Sequence, residues 1–174
     1  MTTRGFVAAL AAMLLSAAGS PGATAQEHES ILPLSAFPRE RIAIETRSAR
    51  RHTFDAWRAD TPQTRAQGLM FVRSLQPEQA MIFVYSSPQH VGMWMKNTLI
   101  PLDMLFVDGD GCVVKVHERA EPGALETIAS EAPVVLVVEL AGGVAGDLGL
   151  RAGDRVVRPA VNWPHEPRPC TPRP

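Results

Sequence analysis

The sequence predicts a mainly β domain of the α+β class, in which an antiparallel sheet curls toward a small barrel and carries two short helices. About seven or eight short apolar or alternating segments follow one another closely, with turn residues between them. No repeated strand–helix–strand unit is visible. The chain has 174 residues, of which 45% are hydrophobic and 20% are charged, and these proportions are typical of one globular domain.

The N-terminus has the three parts of a secretory signal peptide. Arg4 precedes an apolar run over residues 6–18, and the small residues Ala23-Thr24-Ala25 follow that run. The run of about 13 apolar residues is shorter than the roughly 20 that a helix needs to span a bilayer. We therefore predict cleavage near Ala25, export to the periplasm or the medium, and no membrane span in the mature chain.

The mature chain is predicted to have three parts. Residues 26–51 form an N-terminal linker with a possible edge strand, residues 52–159 form a single β-rich domain, and residues 160–174 form a Pro-rich tail. The formal net charge of −1 gives no electrostatic reason to bind nucleic acid. We expect no cofactor and no metal. We expect a monomer whose partner is a small ligand or another exported protein.

The first half of the domain contains a strand and a helix. Residues 53–59 alternate between polar and apolar, which predicts a strand. Thr61 can cap a helix, and Pro62 suits the first helical position because its missing N–H would have no partner there. The helix is predicted to end at Gly68, since glycine adopts a left-handed end conformation without a steric penalty. A second short helix is predicted over residues 141–148.

Further strands are predicted beyond residue 80. Ser86-Ser87-Pro88 is expected to end the first of them, and the most β-prone, over residues 133–140, is expected to be buried on both faces. The tetrapeptide at 108–111 resembles the start of a calcium loop, but the late glutamate ligand is absent, which favours a hairpin turn. The predicted strands cover residues 81–85, 91–96, 102–107, 112–117, 133–140 and 155–158.

The two cysteines, Cys112 and Cys170, leave two alternatives open. An oxidising compartment would permit a disulfide between them. In the other interpretation, Cys112 is a small core residue of an apolar strand and Cys170 is a free residue of the Pro-rich tail.

Several strings, taken together in order and spacing, resemble the domain-of-unknown-function family numbered 192. The resemblance covers residues 52–159 and implies a compact, β-rich single domain of a kind often found in exported bacterial proteins. It implies no established activity. This chain has Met93 where the family usually carries Phe. The strings are ADTPQTRAQGLMFVRSL, MIFVY, MWMKNTLIPLDMLFVDGDG, VVLVVELAGG and LGLRAGDRV.

The stretch from Met93 to Asp103 is the densest in chemically useful side chains. Trp94 and Lys96 share a face, and Asp103 could approach Lys96 or Asn97 from the next strand. An aromatic platform with a cation and a carboxylate suits a sugar or a small anionic ligand. The alternative is structural, with a salt bridge and an Asn that caps a turn. We predict a non-catalytic module that binds a small ligand or a partner through this surface.

Arg65, inside the first short helix, is a further candidate for the site. It either pairs with a buried carboxylate or faces a ligand, and the sequence leaves this open.

Two other functions are weaker interpretations. A hydrolase could use Asp103, His117 or Glu118 as acid or base, but no nucleophile motif accompanies them, and adjacent strand residues point to opposite faces. A copper site could use His90 and the methionines near it. Methionine is also a common filler of irregular cores, and the family usually has Phe at the position of Met93.

Overall fold

A seven-stranded mixed sheet dominates the computed structural model, which describes residues 31–158 and 168–171. The predicted signal peptide over 1–25 and most of the predicted tail over 160–174 lie outside the described residues. A 3-10 turn (Leu34–Ala36) precedes the first strand. The elements are β1 (Arg39–Glu45), β2 (Arg51–Ala59), α1 (Pro62–Gln67), β3 (Gln79–Gln89), β4 (Gly92–Met93), β5 (Leu102–Val107), β6 (Val113–Ala120), β7 (Ile128–Ala129), β8 (Val134–Ala141), α2 (Val144–Leu148) and β9 (Arg155–Val157).

The strand order of the large sheet is β6-β5-β8-β3-β2-β1-β9, and β4 and β7 form a separate two-stranded pair. Among the strands of the described residues, β2 and β3 pair in parallel and every other pair is antiparallel. The predicted class, a mainly antiparallel curled sheet with two short helices, is confirmed. None of the described helices is long and apolar enough to cross a membrane.

The two edge strands of the large sheet meet at one end, which shows how far the sheet curls. The backbone of Cys112, just before β6, forms an isolated antiparallel β-bridge with the backbone of Arg155 in β9. The N–H of Val156 donates to the carbonyl of Gly111, and the N–H of Val113 donates to the carbonyl of Asp154, both at 2.8 Å. We call this contact between the edges the seam.

Both faces of the large sheet are buried at strands β2, β3, β5 and β8, because the residues of each of these strands divide between two apolar clusters. One face packs Trp57, Phe83 and Phe106, and the other packs Phe54 and Leu105. Strand β8 is buried on both faces, as its apolar run predicted.

Three predictions about strands need correction. The possible edge strand is a strand but lies inside the sheet, as β1, between β2 and β9. Strand β3 continues through Ser86-Ser87-Pro88, because its pairing with β8 is irregular between Val84 and Gln89 and leaves room for a residue without an N–H. The strand predicted over 91–96 is only β4, because the chain then turns and the N–H of Thr98 bonds the carbonyl of Met95.

The start and end of α1 agree with the sequence prediction. The Thr61 hydroxyl accepts from the N–H of Thr64, and the Thr64 side chain accepts from the N–H of Thr61, which makes a capping box. Gly68 ends the helix with φ +50°, and a β-carbon there would lie 2.8 Å from Cζ of Phe83. A glycine is therefore needed on both counts, and it lets α1 pack against β3.

Asp103, the second residue of β5, is completely buried. Its carboxylate accepts three backbone hydrogen bonds, from the N–H groups of Arg119 at 2.7 Å, Gly143 at 2.9 Å and Ala145 at 2.7 Å. It therefore ties β5 to the end of β6 and to the start of α2. Gly142 lies so close to Pro101 that a β-carbon would come within 2.8 Å of the Pro101 side chain.

Cys112 and Cys170 form a disulfide across a separation of 58 residues. Of the two alternatives that the sequence left open, the structure has the bridge. The bond attaches the described part of the tail, residues 168–171, to the seam.

We expect Asp103→Ala to lower the free energy of unfolding by roughly 3 kcal/mol or more, because three N–H groups lose their acceptor. The control is Asp55→Ala, which removes a half-exposed carboxylate paired with Arg41 and should cost under about 1 kcal/mol. Urea denaturation of both variants measures the difference. Equal costs would show that the buried carboxylate does not organise this corner.

Reduction of the disulfide should lower the free energy of unfolding by about 2–4 kcal/mol, because a long loop is released in the unfolded chain. The measurement is denaturation of the purified protein with and without dithiothreitol. The control is Cys170→Ser, on which the reductant should have no effect. An unchanged unfolding midpoint for the reduced native protein would contradict the prediction.

Candidate functional site

A small pocket of about 80 Å³ opens between α1, strands β3 and β8, and the segment from residue 92 to 98. Its size is well below the roughly 300–1,000 Å³ of sites for drug-sized ligands. Charged and aromatic side chains dominate its chemistry. They are Arg65 of α1, Tyr85 of β3, Glu139 of β8, and Trp94 and Lys96.

Glu139 contributes a buried carboxyl group to the pocket. The residue is 3% exposed, and on β8 it pairs with the buried Met81 on one side and Met104 on the other. Its Oε2 is buried without a hydrogen-bond partner among the described residues. Because burial disfavours the charged form, the pKa of Glu139 rises from 4.5 to about 8. At neutral pH the carboxyl group is mostly protonated and can donate a hydrogen bond.

Arg65 is held in place by the backbone on two sides. Its Nη1 donates to the carbonyl of Asp60 at 2.7 Å and to that of Val84 at 3.0 Å. The guanidinium carbon lies 5.2 Å from the centre of the Tyr85 ring, a cation–π distance. Burial raises the pKa of the Tyr85 hydroxyl, the Arg65 charge opposes that rise, and Glu139 adds to it. Tyr85 therefore stays protonated at neutral pH.

Trp94 and Lys96 form the outer wall of the pocket. Trp94 is 48% exposed, and Nζ of Lys96 lies 5.3 Å from the centre of its ring. Met93 and Met95 alternate with them and are buried. The predicted common face of Trp94 and Lys96 is therefore present, although the regular strand is short.

Asn97 supports this wall from behind. It has φ +58°, its carbonyl accepts from the N–H of Phe71 at 2.9 Å, and its Nδ2 donates to the sulfur of Met70 at 3.8 Å. Phe71 also has a positive φ, of 63°. For a bulky side chain this conformation costs about 1–3 kcal/mol. The two residues hold the loop after α1 against the turn at 95–98.

The structure therefore brings together three of the five residues predicted for the site. Arg65, Trp94 and Lys96 line one pocket, and Asn97 supports its wall. Asp103 does not line this pocket, and its carboxylate is bonded to backbone N–H groups instead of Lys96 or Asn97.

The sequence analysis missed Glu139 and Tyr85. A signal for Glu139 was present, because it is the one acidic residue in a run expected to be buried on both faces. Tyr85 carried no comparable signal.

The hydrolase residues lie outside the pocket, although Asp103 bonds Arg119, the residue after Glu118. His117 and Glu118 lie on the edge strand β6 and do not line the pocket. Met95 packs in the core with Met81 and Met104, as a filler would, whereas His90 is exposed. Within residues 31–158 and 168–171, no cluster of three or more His, Cys, Asp or Glu could hold a metal ion.

A larger groove of about 480 Å³ lies between the start of β2 and α2. It contains Nε2 of His52, which is buried and has no hydrogen-bond partner in the described part of the chain. A carboxyl group without a partner is the more costly of the two to bury, because its ionised form would carry a full charge. The pocket at Glu139 is therefore the better candidate.

We expect Glu139→Gln to remove a pH dependence of stability. The folded protein binds the Glu139 proton more tightly than the unfolded chain does. The stabilisation from this proton is therefore complete below pH 4.5 and is lost as the pH rises through about 8. The slope approaches about 1.4 kcal/mol per pH unit.

Urea denaturation between about pH 5 and about pH 9 should show the variant gaining stability relative to the native protein as the pH rises. Other titrating groups are common to both proteins and cancel in the difference. A difference that stays constant with pH would contradict the raised pKa.

Comparison with known proteins identifies the family. One similar solved structure, from Sinorhizobium meliloti 1021, is described as a "putative transcription regulator"; it is 39% identical, covers 72% of this chain and 97% of its own, and has a TM-score of 0.70. A protein of unknown function from Novosphingobium aromaticivorans DSM 12444 is 34% identical, covers 74% and 91%, and has a TM-score of 0.69. No curated protein matches the chain.

The family model of DUF192, described as "Uncharacterized ACR", matches residues 43–158. The match begins inside β1, in agreement with the place of that strand within the sheet. It confirms the resemblance seen in the sequence. The chain belongs to domain-of-unknown-function family 192.

Proposed function

We propose that this domain is a non-catalytic binding module that takes a small anionic group, a carboxylate or a phosphate, into the pocket beside Trp94. The observation that carries the proposal is the buried Oε2 of Glu139, which has no hydrogen-bond partner among the described residues. A buried polar group without a partner costs about 1–3 kcal/mol. A ligand that accepts its hydrogen bond would recover that loss.

The charges around the pocket favour an anion. Arg65 and Lys96 are cations, and Glu139 is mostly neutral at pH 7 because its pKa is about 8. Protonated Glu139, Arg65 and Lys96 all present hydrogen-bond donors, so an acceptor with negative charge complements them. A cationic ligand would meet two like charges.

The positions of the candidate acid and base residues support catalysis less well than they support binding. Asp103 is fully engaged by three N–H groups, and His117 and Glu118 lie away from the pocket. The description of the Sinorhizobium meliloti structure suggests gene regulation for that protein. In this chain the net charge of −1 does not favour contact with DNA.

Two observations support a location outside the cytoplasm. The N-terminal sequence has the parts of a signal peptide. The pair Cys112 and Cys170 is bonded, and structural disulfides persist mainly in oxidising compartments.

The chain has only two lysines, Lys96 and Lys115, which allows a direct test with isotope-labelled lysine and nuclear magnetic resonance. Titration with acetate, and separately with inorganic phosphate, should shift the side-chain signal of Lys96. Lys115 is the internal control, because it is paired with Glu131 and with the carbonyl of Ala129.

In the native protein, acetate affinity should fall as the pH rises through about 8, because Glu139 then loses the proton that it donates. Glu139→Gln should remove this pH dependence, because its amide N–H still donates a hydrogen bond but does not titrate. Lys96→Ala should weaken binding at every pH, and Lys115→Ala should not. If neither anion shifts Lys96, or if both lysines shift alike, the proposed function is wrong.

A further inference from the structure

We propose that the anionic group is the acidic side chain of an extended peptide segment from a partner protein, and that exposed apolar side chains around the pocket hold the residues on either side of it. This inference rests on the proposed function and names its ligand. We call these side chains, Phe71, Trp94 and Leu99, the apolar rim.

The apolar rim concentrates hydrophobic surface at the pocket. Five large hydrophobic side chains are exposed in the described part of the chain, and three of them belong to the rim. Trp94 lines the pocket, Phe71 follows the lining residue Met70, and Leu99 follows the lining residue Thr98. Exposed aromatic side chains beside a polar cavity are typical of surfaces that bind another protein.

Phe71 of the apolar rim has an energetically unfavourable backbone conformation, and so does its hydrogen-bond partner Asn97. Phe71 has φ +63° and Asn97 has φ +58°, and the N–H of Phe71 bonds the carbonyl of Asn97 at 2.9 Å. Phenylalanine rarely adopts such a φ, and the side chain is 47% exposed instead of packed in the core. Strained residues concentrate at ligand clamps, where the surrounding structure maintains them.

The size of the pocket supports a ligand that continues outside it. A cavity of about 80 Å³ accommodates a carboxylate and the carbon atoms next to it. A ligand small enough to fit entirely inside this cavity would not contact the apolar rim. A peptide can fill the cavity and contact the rim, because its acidic side chain can enter the pocket while the apolar residues on either side contact Phe71, Trp94 and Leu99. The cations Arg65 and Lys96 complement the acid.

The experiment uses two libraries of capped seven-residue peptides, one with Glu fixed at the centre and one with Gln, and free acetate as the small-anion probe. The purified full chain should select peptides only from the Glu library, with apolar residues enriched beside the acid. The best of these should bind at least about a hundredfold more tightly than acetate, measured by calorimetry.

Variants separate the rim from the pocket. Phe71→Asn should preserve the loop, because Asn tolerates a positive φ. It removes the apolar side chain, so it should weaken peptide binding by about tenfold or more and leave acetate binding unchanged. Lys96→Ala should weaken both. Leu125→Ser is the control and should change neither, because Leu125 is also exposed but neither it nor a residue next to it in the chain lines the pocket.

The outcomes distinguish the two proposals. Acetate binding without selection of any peptide, or peptide affinity that Phe71→Asn leaves unchanged, overturns the peptide inference and leaves the anion pocket intact. Equal selection from the Gln library overturns the acidic anchor. Absence of binding by acetate, by inorganic phosphate and by both libraries overturns the proposed function together with this inference, whereas binding of phosphate alone overturns only the peptide inference.

Discussion

The buried carboxylate of Asp103 organises one corner of this fold. Three backbone N–H groups from β6 and from the start of α2 converge on it, and those of the buried residues Gly143 and Ala145 would otherwise be buried donors without an acceptor. The close approach of Gly142 to Pro101 belongs to the same corner. Within the central stretch, Asp103 therefore has a structural role, whereas Trp94 and Lys96 line the pocket.

Asp103 and Glu139 show how differently the fold treats two buried carboxyl groups. The carboxylate of Asp103 receives its hydrogen bonds from the backbone of the protein. Glu139 lies between two buried methionines, and no described residue donates to its Oε2. An unsatisfied group of this kind destabilises a protein unless something outside the chain completes it. That asymmetry makes Glu139, more than any exposed residue, the centre of a functional hypothesis.

Local sequence patterns predicted what depends on local structure. The capped helix α1, the alternation of Trp94 with Met95 and the buried strand β8 all follow from a few neighbouring residues. The pocket depends on pairing between strands distant in sequence, which periodicity does not reveal. Asp103 was expected to approach Lys96 if the predicted strand at 91–96 paired with the strand that Asp103 begins. The pairing of β5 with β6 and β8 instead directs it to α2.

The seam has a consequence for behaviour at high concentration. Exposed sheet edges present unpaired backbone groups that can template the addition of strands from other molecules, which leads to aggregation. At the seam, residues around the start of β6 and around β9 exchange backbone hydrogen bonds, and the disulfide attaches residues 168–171 of the tail there. Because β1 covers one side of β9, the seam covers the other and the disulfide holds the tail beside it, this end of the sheet leaves few backbone groups free for a strand from another molecule.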